Sequence, residues 1–351
     1  MPSMPSTSGA ELLNQVQGFH VIAEGIAAVV YSPLHGDTGV VYRVVESKKL
    51  LASKELFDDD EGLDEAAVVQ QHLRAEWAGA LVLQYLHGRC PSTVAEGKLV
   101  AVISFGGMDL DTKDMSTTRK LRGLVVKCKA KNSTLATFET NPAAIERLYY
   151  AGTQMEQARP DWTDFKVAQA LAERLFECVK NCHLFGVAHG DLKLHNMMYD
   201  DDGGFKTIQL IDFGECSVSI EVAQMLGFQD DKLSKGQNAE SFAPNKGSGT
   251  FEIAKKNDWR SVADLLLHLF FNEGHGTLFN PKEKRMKCVL KNVHQNPDAD
   301  PSLECNAKYG ETWVHWKRQL SHMVFSGIPY AETSRPTPSP RGRRSQRRRR
   351  S

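Results

Sequence analysis

At 351 residues and 39.1 kDa the chain can form one two-lobed domain or two small ones, and 41% hydrophobic with 25% charged residues excludes a low-complexity chain. The formal charge of +0 is a cancellation: eight arginines and no acid follow Ser334, and without them 35 basic residues face 43 acidic ones, about −8. No apolar run approaches the ~18 residues of a membrane span, the first ten residues lack a basic-then-apolar leader, and the seven cysteines are odd in number and scattered. These features predict an intracellular protein with reduced thiols and no membrane partner.

In chain order, residues 1–15 read as a disordered lead. From Gly18 to Phe57 β-branched and aromatic residues dominate. The runs Ile26–Tyr31 and Val40–Val45 flank a turn-rich segment and predict strand, turn, strand. A third strand is expected over Leu50–Leu56. Asp64–Leu86 is alanine-rich with apolar residues at helical spacing, which predicts a helix. Leu99–Phe105 and Arg122–Lys129 read as two further strands around a polar loop over Gly106–Lys120.

From Asn141 the texture turns helical. Ala143–Ala151 and Phe165–Leu184 are helical patterns, the second with an apolar stripe of Val167, Leu171, Leu175, Cys178 and Cys182. A β-rich front with one helix and a helical rear make an α+β chain of two lobes. The Arg/Ser/Pro-rich end, 334–351, can bury nothing and should be disordered.

The chemistry concentrates after the long helix. There the chain reads His189-Gly190-Asp191-Leu192-Lys193-Leu194-His195-Asn196, then an Asp/Gly turn, a strand over Lys206–Ile211, and Asp212-Phe213-Gly214. Phosphoryl transfer needs a divalent metal to neutralise a triphosphate and a carboxylate to orient the attacking hydroxyl. Magnesium takes oxygen ligands, commonly one or two carboxylates plus phosphates. An Asp and an Asn on one loop, with a second Asp beyond a hairpin, supply such a set.

These residues resemble the eukaryotic protein kinase superfamily, whose pattern is H-R-D-L-x-x-x-N followed by D-F-G. The resemblance implies a kinase-like two-lobe fold, with an N-lobe over 16–130, a C-lobe over 131–330 and a tail over 331–351. It implies ATP and magnesium as cofactors and a protein substrate. Asp191 is then the base or hydroxyl orienter, Asn196 and Asp212 hold magnesium, and Lys193 steadies the transferring phosphoryl group. A lysine two places past the Asp is typical of the serine/threonine kinases.

For the nucleotide, Leu34-x-Gly36-x-x-Gly39-x-Val41 matches the phosphate-covering loop with Leu34 in place of its first glycine. A rival, Ala23-x-Gly25-x-x-Ala28-x-Val30, fits the same template with one glycine. The later candidate is preferred because Leu50–Leu56 follows it and resembles the V-A-I-K strand, with Ala52 in the nucleotide site and Lys54 on the phosphates. Glu65 and Glu76 are candidate partners for Lys54, and Glu76 fits better because it lies mid-helix. Asp258, in Asn257-Asp258-Trp259, resembles the aspartate that opens a C-lobe helix and anchors the catalytic loop.

Gly190 replaces the arginine that receives an activation-loop phosphate, and no A-P-E triplet follows. A narrower resemblance, in His189–Asp191, Ser217–Ile220 and Gly249–Phe251, is to the spindle-checkpoint kinases named for budding uninhibited by benzimidazole. Two other readings stay open. One is a small-molecule phosphotransferase of the antibiotic or choline type, the other a pseudokinase scaffold. Arg341–Arg350 suits nucleic-acid phosphates or a nuclear import receptor and predicts a nuclear location. Thr337-Pro and Ser339-Pro are expected phosphorylation sites that would weaken such contacts.

Overall fold

The computed structural model describes residues 19–24, 28–34, 39–52, 65–104, 107–109, 121–129, 133–141, 143–151, 165–228, 250–271 and 315–330. The chain divides into two compact units, Met1–Asp258 and Trp259–Ser351. Among the described residues, no helix is long and apolar enough to cross a membrane. The arginine-rich tail lies outside them.

The first unit opens with an antiparallel sheet of six strands: β1 (Phe19–Glu24), β2 (Ala28–Pro33), β3 (Val40–Glu46), β4 (Gly97–Ser104), β5 (Gly107–Asp109) and β6 (Leu121–Lys129). Their order across the sheet is β1-β2-β3-β6-β4-β5. Alternation along β3 gives its two faces separate tasks. Tyr42 and Val44 pack on one face with Tyr31, Ala101 and Val125. Val41, Arg43 and Val45 fall on the other, and Arg43 there reaches the long helix α2 (Glu65–His87).

Two strand placements fail in this part of the chain, and the polar loop expected over Gly106–Lys120 carries the short strand β5 at Gly107–Asp109. The strand expected over Leu50–Leu56 is overturned: Ser47–Ala52 forms a helix, α1, which buries Leu50 completely, and 53–56 lie outside the described residues. The Leu50-Leu51 pair is apolar, but only one of the two faces the core, as a short amphipathic helix allows. The other failure is the omission of β1. It is an edge strand with five exposed residues, so its sequence carries little apolar alternation.

α2 follows its predicted span closely. It buries Leu73, Trp77, Val82, Leu83 and Leu86 and ends at Gly88, whose amide bonds to the Gln84 carbonyl. Beyond it come β7 (Ser133–Thr134), α3 (Thr137–Thr140), α4 (Ala143–Ala151) and α5 (Phe165–Leu184). α5 holds its predicted span, and all five residues of its stripe are buried. Arg174 on that helix is buried too. It donates to the carbonyls of Lys206 at 2.9 Å, Ile208 at 2.7 Å and Ser92, so one guanidinium satisfies three loop carbonyls.

After α5 the strands are short: β8 (Val187–Ala188), β9 (Met197–Tyr199), β10 (Gln209–Leu210) and β11 (Ser217–Val218). The strand expected over Lys206–Ile211 shrinks to β10, because Phe205–Thr207 form a 3-10 turn. β9 pairs with β10 and β8 with β11, and these two ladders hold the sequence motifs between them. α6 (Ile220–Met225) follows, capped by the Ser219 hydroxyl.

α7 (Thr250–Phe271) starts earlier than expected. Asp258 therefore sits within this helix instead of opening it. In the second unit, α8 (315–326) places Trp316 against Phe270 and Phe271, with ring centroids 5.7 and 5.8 Å apart. Leu320 and Met323 complete that core.

Candidate active site

The loop that carries Asp191 leaves β8 at His189. Its imidazole receives the Asp191 amide at Nδ1, 3.3 Å away, and donates from Nε2 to the Ile211 carbonyl at 2.8 Å. That fixes the neutral tautomer with its proton on Nε2. The Ile211 amide returns a bond to the Asn196 carbonyl at 3.0 Å. Two hydrogen bonds thus hold the residue before Asp212 against the loop that carries Asp191. Motifs about twenty residues apart share one site for this reason.

Within the loop, Asp191 Oδ2 accepts from Lys193 Nζ at 2.6 Å and from Asn196 Nδ2 at 2.9 Å. Asn196 Nδ2 also bonds to the Asp191 carbonyl at 2.8 Å. Among the described residues no donor reaches Asp191 Oδ1 or Asn196 Oδ1. Asp212 has φ +61, making it the only non-glycine residue with positive φ among the described residues. Asn196 Oδ1 and the Asp212 carboxylate are hard oxygen donors, the chemistry that magnesium selects. No group of three or more His, Cys, Asp or Glu side chains forms a metal cage among the described residues. Asn196 Oδ1 and the Asp212 carboxylate thus fit a magnesium ion by their donor chemistry.

The front of the site is an ion pair that the sequence did not single out. Arg43 on β3 meets Glu76 on α2 through two bonds, Nη2 to Oε1 at 2.7 Å and Nη1 to Oε2. Burial would raise the Glu76 pKa, but the Arg43 guanidinium and the nearby His72, 3.6 Å away, override it and hold the carboxyl down at about 2. Burial would likewise lower the Arg43 pKa, while Glu76 and then Asp212 raise it on balance. Asp212 therefore lies within electrostatic reach of Arg43. A Cβ on Gly214 would sit 3.6 Å from Asp212 Oδ1 and 3.8 Å from the Glu76 carboxyl carbon, so the ion pair and the Asp212 carboxylate are neighbours.

The sequence-predicted residues divide accordingly. Asp191, Lys193, Asn196 and Asp212 come together, and Glu76 joins them through Arg43. Val41 is half-buried two residues before Arg43, on the same face of β3. Gly39 precedes β3, whereas Gly36 and Lys54 lie outside the described residues. Ala52 is corrected: it is exposed at the end of α1. The cation on Glu76 comes from one strand earlier than expected. A count from β1 would have found it, because the third strand then carries Arg43. The rival candidate Ala23–Val30 falls where the antiparallel strands β1 and β2 adjoin, and its Gly25 lies outside the described residues.

Asp258 sits behind the loop, 2% exposed. Its Oδ2 accepts from the His189 amide and from His183 Nε2, each at 2.8 Å, and its Oδ1 accepts from the Gly190 amide at 2.9 Å. Asp258→Ala orphans the buried His189 amide and the half-buried Gly190 amide. Stability should fall by about 2–3 kcal/mol, read as roughly 2–4 °C of Tm per kcal/mol. Amide exchange at His189 and Gly190 should quicken, and unchanged exchange there would show that the anchor is dispensable. Cys216, nearby, has its thiol pushed up to about 12, by burial first and then by Glu215, Asp258 and Asp212, so it is not a nucleophile.

Comparison with known proteins agrees with this geometry. Residues 32–222, more than half of the chain, match the phosphotransferase enzyme family (APH). Calcium-dependent protein kinase 27 of Arabidopsis thaliana is 40% identical over 65 residues, which cover 18% of this chain and 13% of that protein. The crystal structure of an Stt7 homologue from Micromonas algae, soaked with ATP, superposes with a TM-score of 0.53 at 16% identity. It covers 95% of this chain and 93% of that one, a likeness of fold.

Proposed function

The chain belongs to the phosphotransferase enzyme family, and from that premise we propose that it transfers the γ-phosphate of ATP, with magnesium, to serine or threonine hydroxyls of a protein. The observation that carries the reading is the Asp191 carboxylate, tied through Oδ2 to Lys193 at 2.6 Å and to Asn196 at 2.9 Å, with Oδ1 left for an incoming hydroxyl.

Each residue then has a role. Asp191 Oδ1 orients the acceptor hydroxyl and takes its proton as the new bond forms. Lys193, 46% exposed, offsets the charge on Asp191 and on the phosphoryl oxygens. Asn196 Oδ1 and Asp212 would hold magnesium, which supplies charge neutralisation on the phosphates. Arg43, braced by Glu76, takes the phosphate-facing role that the resemblance gave Lys54. Support for a protein acceptor comes from the lysine two places past Asp191 and from the calcium-dependent protein kinase segment. The spindle-checkpoint kinship rests on the sequence triplets alone.

One observation favours a second reading, a small-molecule acceptor. Gly190 stands where a phosphate-receiving arginine would serve a protein kinase, and the matched family is that of the phosphotransferases. An acceptor panel separates the two. Labelled phosphate from magnesium-ATP should pass to a serine/threonine peptide library and be absent with Asp212→Asn. Transfer to an aminoglycoside or choline with none to peptide would replace the protein reading with the small-molecule one. No transfer to any acceptor would favour the pseudokinase scaffold.

A further inference from the structure

Two glycines from different elements press on the turn that carries Asp212. Gly79 lies inside α2, three residues beyond Glu76 and so on the same face. A Cβ there would come 2.7 Å from the carbonyl carbon and oxygen of Phe213 and 2.8 Å from the amide nitrogen of Gly214. Gly190 lies in the catalytic loop with φ +83, and a Cβ there would come 2.1 Å from the carbonyl oxygen of Glu215. These neighbours are backbone atoms, which cannot rotate aside as a side-chain tip can.

The sequence accepts a local disadvantage for this approach. Glycine inside a helix is less favourable than alanine, so residue 79 is explained by what it lets in. The turn in question is held in a demanding conformation. Asp212 has φ +61, a backbone state that a non-glycine residue keeps only where its surroundings impose it. Phe213 is 2% exposed and its ring lies 4.6 Å from the His189 ring, so its side chain anchors the turn. The two glycines let the backbone of the turn seat against α2 and against the loop.

We propose that Gly79 and Gly190 are positioning residues for Asp212. Backbone contact at Phe213–Glu215 keeps the Asp212 carboxylate in its working place with no phosphate on the segment that follows. The proposal rests on the reading of Asp212 as a magnesium ligand. Gly190 then does more than remove a phosphate receiver: its missing side chain is the space that the Glu215 carbonyl fills.

The test is Gly79→Ala in the full chain, with magnesium titrated at saturating ATP. Alanine favours the helix, but its Cβ overlaps backbone that cannot rotate aside, so Tm should fall by a few degrees while the chain stays folded. The magnesium concentration for half-maximal rate should rise roughly 10- to 100-fold, the usual effect of losing a ligand's support, and the acceptor KM should stay. A folded Gly79→Ala with wild-type magnesium dependence overturns the proposal, as does a fall in kcat without a shift in that dependence. Phosphatase-treated wild type should keep its full kcat, and loss of activity on that treatment overturns the proposal even where Gly79→Ala does not fold. Asp212→Asn runs alongside. If Asp212→Asn is inactive while Gly79→Ala behaves as wild type, the glycine contact alone fails. If Asp212→Asn keeps wild-type magnesium dependence, the metal reading beneath it fails.

Discussion

Asp191→Ala should lower kcat by about 10²- to 10⁴-fold, the contribution of a positioned acid or base, while ATP affinity changes little. The reason is local. Asp191 Oδ2 is occupied by Lys193 at 2.6 Å and Asn196 at 2.9 Å, which orients the carboxyl and leaves Oδ1 for the acceptor. Removing it leaves Arg43, Glu76 and Asp212 in place, so the nucleotide contacts persist. Asp191→Asn keeps the shape but supplies no base, and it should be impaired in the same way. Steady-state rates with ATP and the accepted substrate, beside nucleotide binding by calorimetry, read both halves. Activity of Asp191→Ala equal to wild type would remove Asp191 from the reaction.

Arg43→Ala should destabilise the first unit by about 3–5 kcal/mol, the cost of stranding one member of a buried ion pair. Glu76 is 7% exposed, and without the guanidinium only burial and His72 act on it. In the wild type its carboxyl is held at about 2, below the unfolded value of 4.5. A depressed carboxyl stabilises the fold fully above pH 4.5 and loses that contribution as pH falls towards 2. The gap between wild type and Arg43→Ala should therefore be widest near neutrality and narrow over that window. Urea unfolding at several pH values measures it, and a gap independent of pH would contradict the assignment. Arg43→Lys keeps the charge but loses the two-pronged contact, so it should fall between the two. Catalysis should fall with Arg43→Ala as well, because Asp212 lies within reach of the same charge.

The grouping of Asp191, Lys193 and Asn196 was legible because the three lie close together in the chain. Asp191, Lys193 and Asn196 lie within one short turn, and few side chains can replace them. α5 was legible because a long one-sided stripe has one solution. β1 was not. Its residues are mostly exposed, and the pairing that makes it a strand comes from β2. Without β1 in the count, Arg43 on β3 is not considered as the partner of Glu76, and Lys54 lies outside the described residues. Asp258 reads as a helix start through the resemblance of Asn257-Asp258-Trp259 to a helix-opening motif. The helix runs through that stretch, and Asp258 spends its carboxylate on the loop.

The ion pair on β3 also changes the chemical reactivity of the site. The seven residues of β3 include no lysine. Acylating nucleotide probes label an amine beside the phosphates, and a guanidinium that stays protonated gives them nothing to attack. The amine that such a reagent meets among the described residues of the site is Lys193, on the catalytic loop and 46% exposed. Lys193 should therefore be labelled by such a reagent, and Lys193→Ala should remove that label.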